Sequence, residues 1–199
     1  PLGIDEWLIG KCIKKVNVTG MDWWQSTEYM AAKVTLTPAH HWSQRTATDK
    51  NKLLWGGFFM EAGGLKTWYA GDTGYAPIFK TIGEKIGPLD LALIPIGAYT
   101  PRWFMQPSHL DPMEAVEVMK DVKAHRALAV HWGTFPLAGE AIDQPIIDLA
   151  KARERAGIDN NHFRALKVGE TWFLDNDVRS NPQGPLIERV PNPDQGTLK

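Results

Sequence analysis

Three residues of this sequence combine metal-binding chemistry with a common kind of position: His41, Asp72 and His131. The first lies in Thr37-Pro38-Ala39-His40-His41-Trp42, the second in Ala70-Gly71-Asp72-Thr73-Gly74-Tyr75, and the third in Val130-His131-Trp132-Gly133-Thr134. Each stands at or just after the end of a short apolar run and before a tight turn, and the C-terminal ends of strands are where α/β sheets collect their active sites. Imidazole and carboxylate together suit Zn²⁺, Fe or Mn, with zinc favoured, and an Asp can bridge two ions through its two oxygens. Taken singly, each residue has a plainer role: an Asp after Gly shapes a turn, and a His at a strand end is held by a local hydrogen bond. A site exists only if the fold brings the three together.

The elements that must do so are legible as apolar runs bounded by Gly, Pro or polar clusters. Lys33 to Leu36, Leu53 to Phe59, Leu65 to Ala70, Leu89 to Ile94 and Ala127 to Val130 are predicted strands. Leu2 to Ile9 has helical spacing and stops at Gly10, and Cys12 to Val18 alternates as a strand would. Asp111, Pro112 and Glu114 form the cap, first position and capping-box partner of a helix expected to run to about His125. A second helix is expected over Pro145 to Ala156, ending at Gly157, and Arg164 to Leu174 reads as a closing hairpin. Strands with intervening helices predict an α/β layered domain over residues 1–175, and the Pro-, Asn- and Gly-rich composition of 176–199 predicts a poorly ordered tail.

Composition narrows the function classes. With 22 basic and 23 acidic residues and a formal net charge of −1, the chain lacks the positive footprint of nucleic-acid binding. Cys12 is the one cysteine, which excludes a thiolate metal site of the zinc-finger kind and an internal disulfide framework. No apolar run approaches the roughly 20 residues of a membrane-spanning helix. The expected location is therefore the cytoplasm or the surface of intracellular membranes rather than the secreted space.

The stretches Thr37 to Thr46, Ala70 to Tyr75, Ile94 to Pro112 and His131 to Phe135 resemble N-acylphosphatidylethanolamine-hydrolysing phospholipases D, within the metallo-β-lactamase superfamily. Pro95-Ile96-Gly97-Ala98-Tyr99, Pro101-Arg102-Trp103-Phe104-Met105 and His131-Trp132-Gly133-Thr134-Phe135 carry the specific part of the likeness, whereas Gly71-Asp72-Thr73-Gly74 is common in the superfamily. The resemblance implies a metallo-β-lactamase-type layered sandwich with helices packed on β-sheets, of which this chain is the C-terminal portion. It implies a dinuclear zinc site in which His41 binds one zinc, Asp72 bridges both and His131 binds the second. It also implies that His109 faces the substrate phosphate or leaving group as the catalytic side chain.

The reaction implied is hydrolysis of a phosphodiester to an N-acylethanolamine and a phosphatidic acid, in which paired ions activate water and neutralise the charge on the phosphoryl group and leaving oxygen. The family's His-x-His-x-Asp-His signature is absent from these 199 residues, so the expectation is a truncated chain that is inactive alone. From the residues themselves, His109 reads nearly as well as a neighbour of the helix cap that merely packs beside the 111 to 125 helix. Trp42, Trp103, Phe104, Met105 and Trp132 flank the candidate site and are read as a receiving surface for the phospholipid substrate at a peripheral membrane surface. Packing of these aromatics into the core is the competing reading, and weighs most against Trp42 and Trp132. A homodimer stays open. The rival functions are a hydrolase of a soluble metabolite on the same fold, such as a lactonase or phosphodiesterase, and a non-catalytic half-domain.

Overall fold

The computed structural model describes residues 1–10 and 17–174. The strand predicted over Cys12 to Val18 lies mostly outside the described residues, as does the tail over 176–199, and Asn17 and Val18 are not in a strand. The chain order is α1 (Ile4–Gly10), β1 (Ser26–Tyr29), β2 (Ala32–Thr37), β3 (Gly57–Ala62), β4 (Leu65–Tyr69), α2 (Ile78–Lys85), β5 (Leu89–Pro95), α3 (Arg102–Met105), α4 (Pro112–Asp121), β6 (Ala124–Val130), α5 (Gln144–Ala156) and β7 (Phe163–Arg164).

Among the described residues the strands form one seven-stranded sheet in sequence order, antiparallel from β1 to β4 and parallel from β4 to β7. Its register explains the core. Thr35, Phe59, Trp68, Ala92, Ala127 and Phe163 pair across six strands in one row, and all are buried. Side chains alternate between faces along a strand, so this row marks one face. Against it pack Phe79 and Ile82 of α2, Val116, Val118 and Met119 of α4, and Leu149 and Ala152 of α5. The adjoining row Phe58, Tyr69, Leu93 and Leu128 lies on the other face, where Phe58, Leu93 and Leu128 are half-buried and Tyr69 is exposed.

Several boundaries differ from the sequence reading. Leu53 to Gly56 is loop, and β3 begins at Gly57. Helix α4 has the expected capping box, with the Asp111 carboxylate accepting from Glu114 N–H at 2.8 Å, but it ends at Asp121. Lys123 turns left-handed (φ 56°), and Ala124 to Val130 then pair with β5, so sheet pairing takes the residues that the helical spacing claimed. Helix α5 ends as expected at Gly157, which is left-handed (φ 65°).

The closing hairpin does not form. Instead Phe163 and Arg164 add a short parallel strand beside β6, because Phe163 is fully buried there, and Trp172 lies over the guanidinium groups of Arg126 and Arg164. Strand β1 and helices α2 and α3 had no clear signal in the sequence reading.

Two antiparallel steps from β2 to β4 restore the strand direction, so β2 runs the same way as β4, β5 and β6. The loops after all four strands therefore emerge at one edge. These loops carry His41, Asp72, His109 and His131.

Candidate metal centre

Local chemistry holds each loop in place. Gly71 is left-handed (φ 69°), and a Cβ there would meet the Gly56 carbonyl oxygen at 2.8 Å, so the turn into Asp72 needs glycine. Buried Thr73 accepts the His40 N–H at 2.9 Å, and Gly74 N–H donates to His40 O at 2.8 Å. These two bonds clamp the loop after β2 onto the loop after β4 and bring His41 over the turn.

His131 is left-handed (φ 57°), and Gly97 on the neighbouring loop packs where a Cβ would collide with the His131 carbonyl oxygen. His109 is fixed from below: its N–H donates to Met105 O at 2.9 Å, and its carbonyl accepts from Arg102 Nη1 at 2.9 Å. Arg102 also bonds Glu114 Oε2 at 2.7 Å, which ties α3 to the first turn of α4.

The result is a row of imidazoles. The His109 ring centroid lies 5.3 Å from that of His41, nearly perpendicular, and 5.5 Å from that of His131. His131 Nε2 lies 3.6 Å from Asp72 Oδ1. His41 Nδ1 is 2.9 Å from the Trp42 carbonyl, an acceptor that fixes the proton on Nδ1 and leaves the Nε2 lone pair free. Among the described residues, His41 Nε2, His109 Nδ1 and His131 Nδ1 are buried with no hydrogen-bond partner. Burial, then the neighbouring His41 and His131, push the His109 pKa down to about 4 against the opposing pull of Asp72 and Glu140. His109 is therefore neutral near pH 7.

Unpartnered imidazole nitrogens and a carboxylate are the donor types a metal ion takes, and the backbone carbonyl on His41 Nδ1 is the kind of partner that orients a ligating histidine. The donors suit a metal in type but not yet in number. Among the described residues, no group of three or more His, Cys, Asp or Glu side chains is arranged to hold one ion.

The aromatics expected to meet substrate divide. Trp42 stacks on His41 at 5.6 Å and is exposed. Trp132 packs against the core and donates Nε1–H to Ala129 O at 3.3 Å, while also lining a groove beside His131. Trp103 is 82% exposed and Phe104 65%, paired with each other at 5.6 Å, and Met105 is half-buried.

The groove, about 280 Å³, was not anticipated from the sequence; besides His131 and Trp132 it is lined by Ala98, Phe135, Leu137 and Glu140. Glu140 carries no motif in the sequence, yet it is the acceptor for the loop after β5. Its partners, Ala98 and its two successors, are backbone groups, and these leave no trace in residue type.

The geometry agrees with the comparisons to known proteins. Residues 4–132 match the beta-lactamase superfamily domain. The chain belongs to the metallo-β-lactamase superfamily. It is 40% identical over 184 residues to the N-acyl-phosphatidylethanolamine-hydrolyzing phospholipase D 1 of Caenorhabditis elegans, covering 86% of this chain and 51% of the relative. It is 37% identical over 183 residues to the mitochondrial N-acyl-phosphatidylethanolamine-hydrolyzing phospholipase D of Saccharomyces cerevisiae, covering 85% of this chain and 39% of the relative. The chain thus spans about half or less of the length of these relatives.

Among solved structures, a metallo hydrolase of the archaeon Ignicoccus hospitalis shares the superfamily fold with a TM-score of 0.58 and 22% identity, covering 83% of this chain and 64% of that one. Among the described residues, no helix is long and apolar enough to cross a membrane.

Proposed function

We propose that the protein carrying this superfamily domain is a metal-dependent phosphodiester hydrolase of phospholipase D type, which cleaves N-acylphosphatidylethanolamine to an N-acylethanolamine and phosphatidic acid. The observation that carries the reading is the row His41, His109, His131, each with a buried, unpartnered ring nitrogen, and the Asp72 carboxylate 3.6 Å from His131 Nε2. The names of the two phospholipase relatives support the substrate.

In this reading His41, Asp72 and His131 are ligands of a two-zinc centre, to which the described residues contribute part of the donor set. Bound zinc supplies a water of lowered pKa and neutralises phosphoryl charge. His109, neutral and wedged between two ligands, faces the phosphoryl group and donates an N–H hydrogen bond to the leaving oxygen, which takes its proton from water. Exposed Trp103 and Phe104 rest on the lipid surface, so that the protein works at a membrane surface.

The test uses the full-length protein with vesicles containing N-acylphosphatidylethanolamine. The expected result is release of N-acylethanolamine with phosphatidic acid left in the vesicle, abolished by a chelator and restored by zinc. Cleavage of water-soluble phosphodiesters with none of the vesicle lipid would select a soluble-metabolite hydrolase on the same fold. Failure to bind metal would select a non-catalytic role.

A further inference from the structure

Glu140 sits in the loop after β6, and its carboxylate reaches back across the groove to the loop after β5. Oε1 accepts from Ala98 N–H at 2.6 Å and Tyr99 N–H at 3.3 Å, and Oε2 accepts from Thr100 N–H at 2.9 Å. Three consecutive amides converge on one side chain because Ala98 is left-handed (φ 63°), which cups the backbone around an anion. The stitching runs in both directions, since Gly139 N–H donates to Thr100 O at 2.9 Å.

The two loops joined in this way are the ones that meet at the site. Gly97, one residue before the clamped amides, packs on the carbonyl of His131, and Ile96 N–H donates to Val130 O at 3.1 Å. His131 is itself in a backbone conformation that a β-carbon disfavours, so it persists only while its surroundings hold it. The Glu140 clamp holds the residues that follow Gly97 in that contact.

We propose that Glu140 is a positioning residue for the metal centre: its carboxylate locks the loop after β5 against the loop after β6 and thereby fixes the His131 imidazole for ligation. The inference rests on the proposed metal-dependent reading of the same site. A carboxylate does this where an amide does not. Four lone-pair directions on two equivalent oxygens serve three N–H donors, while a glutamine would turn its own NH₂ toward at least one of them.

The experiment compares full-length wild type, Glu140→Gln, Glu140→Asp and Tyr99→Phe. Tyr99→Phe removes only the hydroxyl bonded to Asp148 Oδ2 at 2.7 Å and serves as a control for loosening the same loop. Zinc affinity is measured by chelator competition, and backbone hydrogen exchange is followed in peptides covering 96–101 and 130–134. The expected result is a tenfold or greater loss of zinc affinity in Glu140→Gln, recovery of most of it in Glu140→Asp and wild-type affinity in Tyr99→Phe. Exchange should quicken in both segments of Glu140→Gln.

Wild-type zinc affinity in Glu140→Gln, with faster exchange confined to 96–101, would overturn the clamp. Should the wild type bind no zinc, the metal reading fails by itself. Exchange in 130–134 then decides the clamp: faster exchange in Glu140→Gln supports it, and unchanged exchange overturns it.

Discussion

His131 Nε2 lies 3.6 Å from Asp72 Oδ1, while its other ring nitrogen is buried without a partner among the described residues. The two residues come from loops after β6 and β4, strands that never touch, with β5 between them. The Asp72 side chain is 43% exposed, so its negative charge is not needed to stabilise the bare fold. Asp72→Asn should therefore change the unfolding free energy of metal-free protein by no more than about 0.5 kcal/mol. With zinc present, the wild type should gain stability by mass action and Asp72→Asn should gain much less. Thermal melts with and without zinc would show this, and equal stabilisation of both proteins would remove Asp72 from the ligand set.

His109 makes stability depend on pH. Its pKa falls from the ordinary 6.5 to about 4 in the folded chain. Above about 6.5 the residue is neutral in both states and contributes no slope. Between about 6.5 and 4 the unfolded chain takes up a proton that the folded chain refuses, so stability falls as the pH drops through this window and levels off below it. Urea midpoints of metal-free protein across that range should show the slope. His109→Gln should flatten it, and an unchanged slope in the variant would assign the titration elsewhere.

Phe163 tests the short strand that replaces the expected hairpin. It is fully buried and ends the row that begins at Thr35. Phe163→Ala should cost about 3–5 kcal/mol, measured by chemical denaturation. A loss under about 1 kcal/mol would mean that β7 does not hold the sheet edge.

How far the sequence could be read depends on where the information sits. The capping box at Asp111 and Glu114 and the glycine after α5 are side-chain signals of local structure, and both stand where they were expected. The end of α4 is different: Val122 and Ala124 fit a helical stripe, and only pairing of Ala124 with Leu89 makes the segment a strand. The candidate site divides in the same way. His41, Asp72 and His131 were visible as residue types at strand ends, and the parallel direction of β2, β4 and β6 gathers their loops at one edge. Thr73 and Glu140 were invisible because they act on backbone N–H groups far along the chain. Trp103 and Phe104 were visible as aromatics, but only the fold shows them facing solvent.

That exposure separates binding from folding. Trp103→Ala and Phe104→Ala should each leave stability within about 0.5 kcal/mol. On the proposed lipid reading, the double variant should sediment less with vesicles and lose activity on vesicle lipid more than on a detergent-dispersed or soluble substrate. Equal loss on both kinds of substrate would place these aromatics in the catalytic site instead.

The Thr73 hydroxyl makes the sharpest case for how the fold sets the site. It is fully buried, accepts His40 N–H at 2.9 Å and donates to Gly74 O at 2.8 Å. Thr73→Val keeps the shape and removes the hydroxyl, leaving a His40 amide with no acceptor, which should cost about 1–3 kcal/mol. Thr73→Ser keeps the hydroxyl and loses one methyl, so it should retain most of the stability. The functional consequence is separable from that loss, because His40 precedes the candidate ligand His41. Zinc affinity, measured where both variants are fully folded, should fall in Thr73→Val and stay near wild type in Thr73→Ser. Parallel affinities in the two variants would show that His41 is held by its own bond to the Trp42 carbonyl and not by the Thr73 clamp.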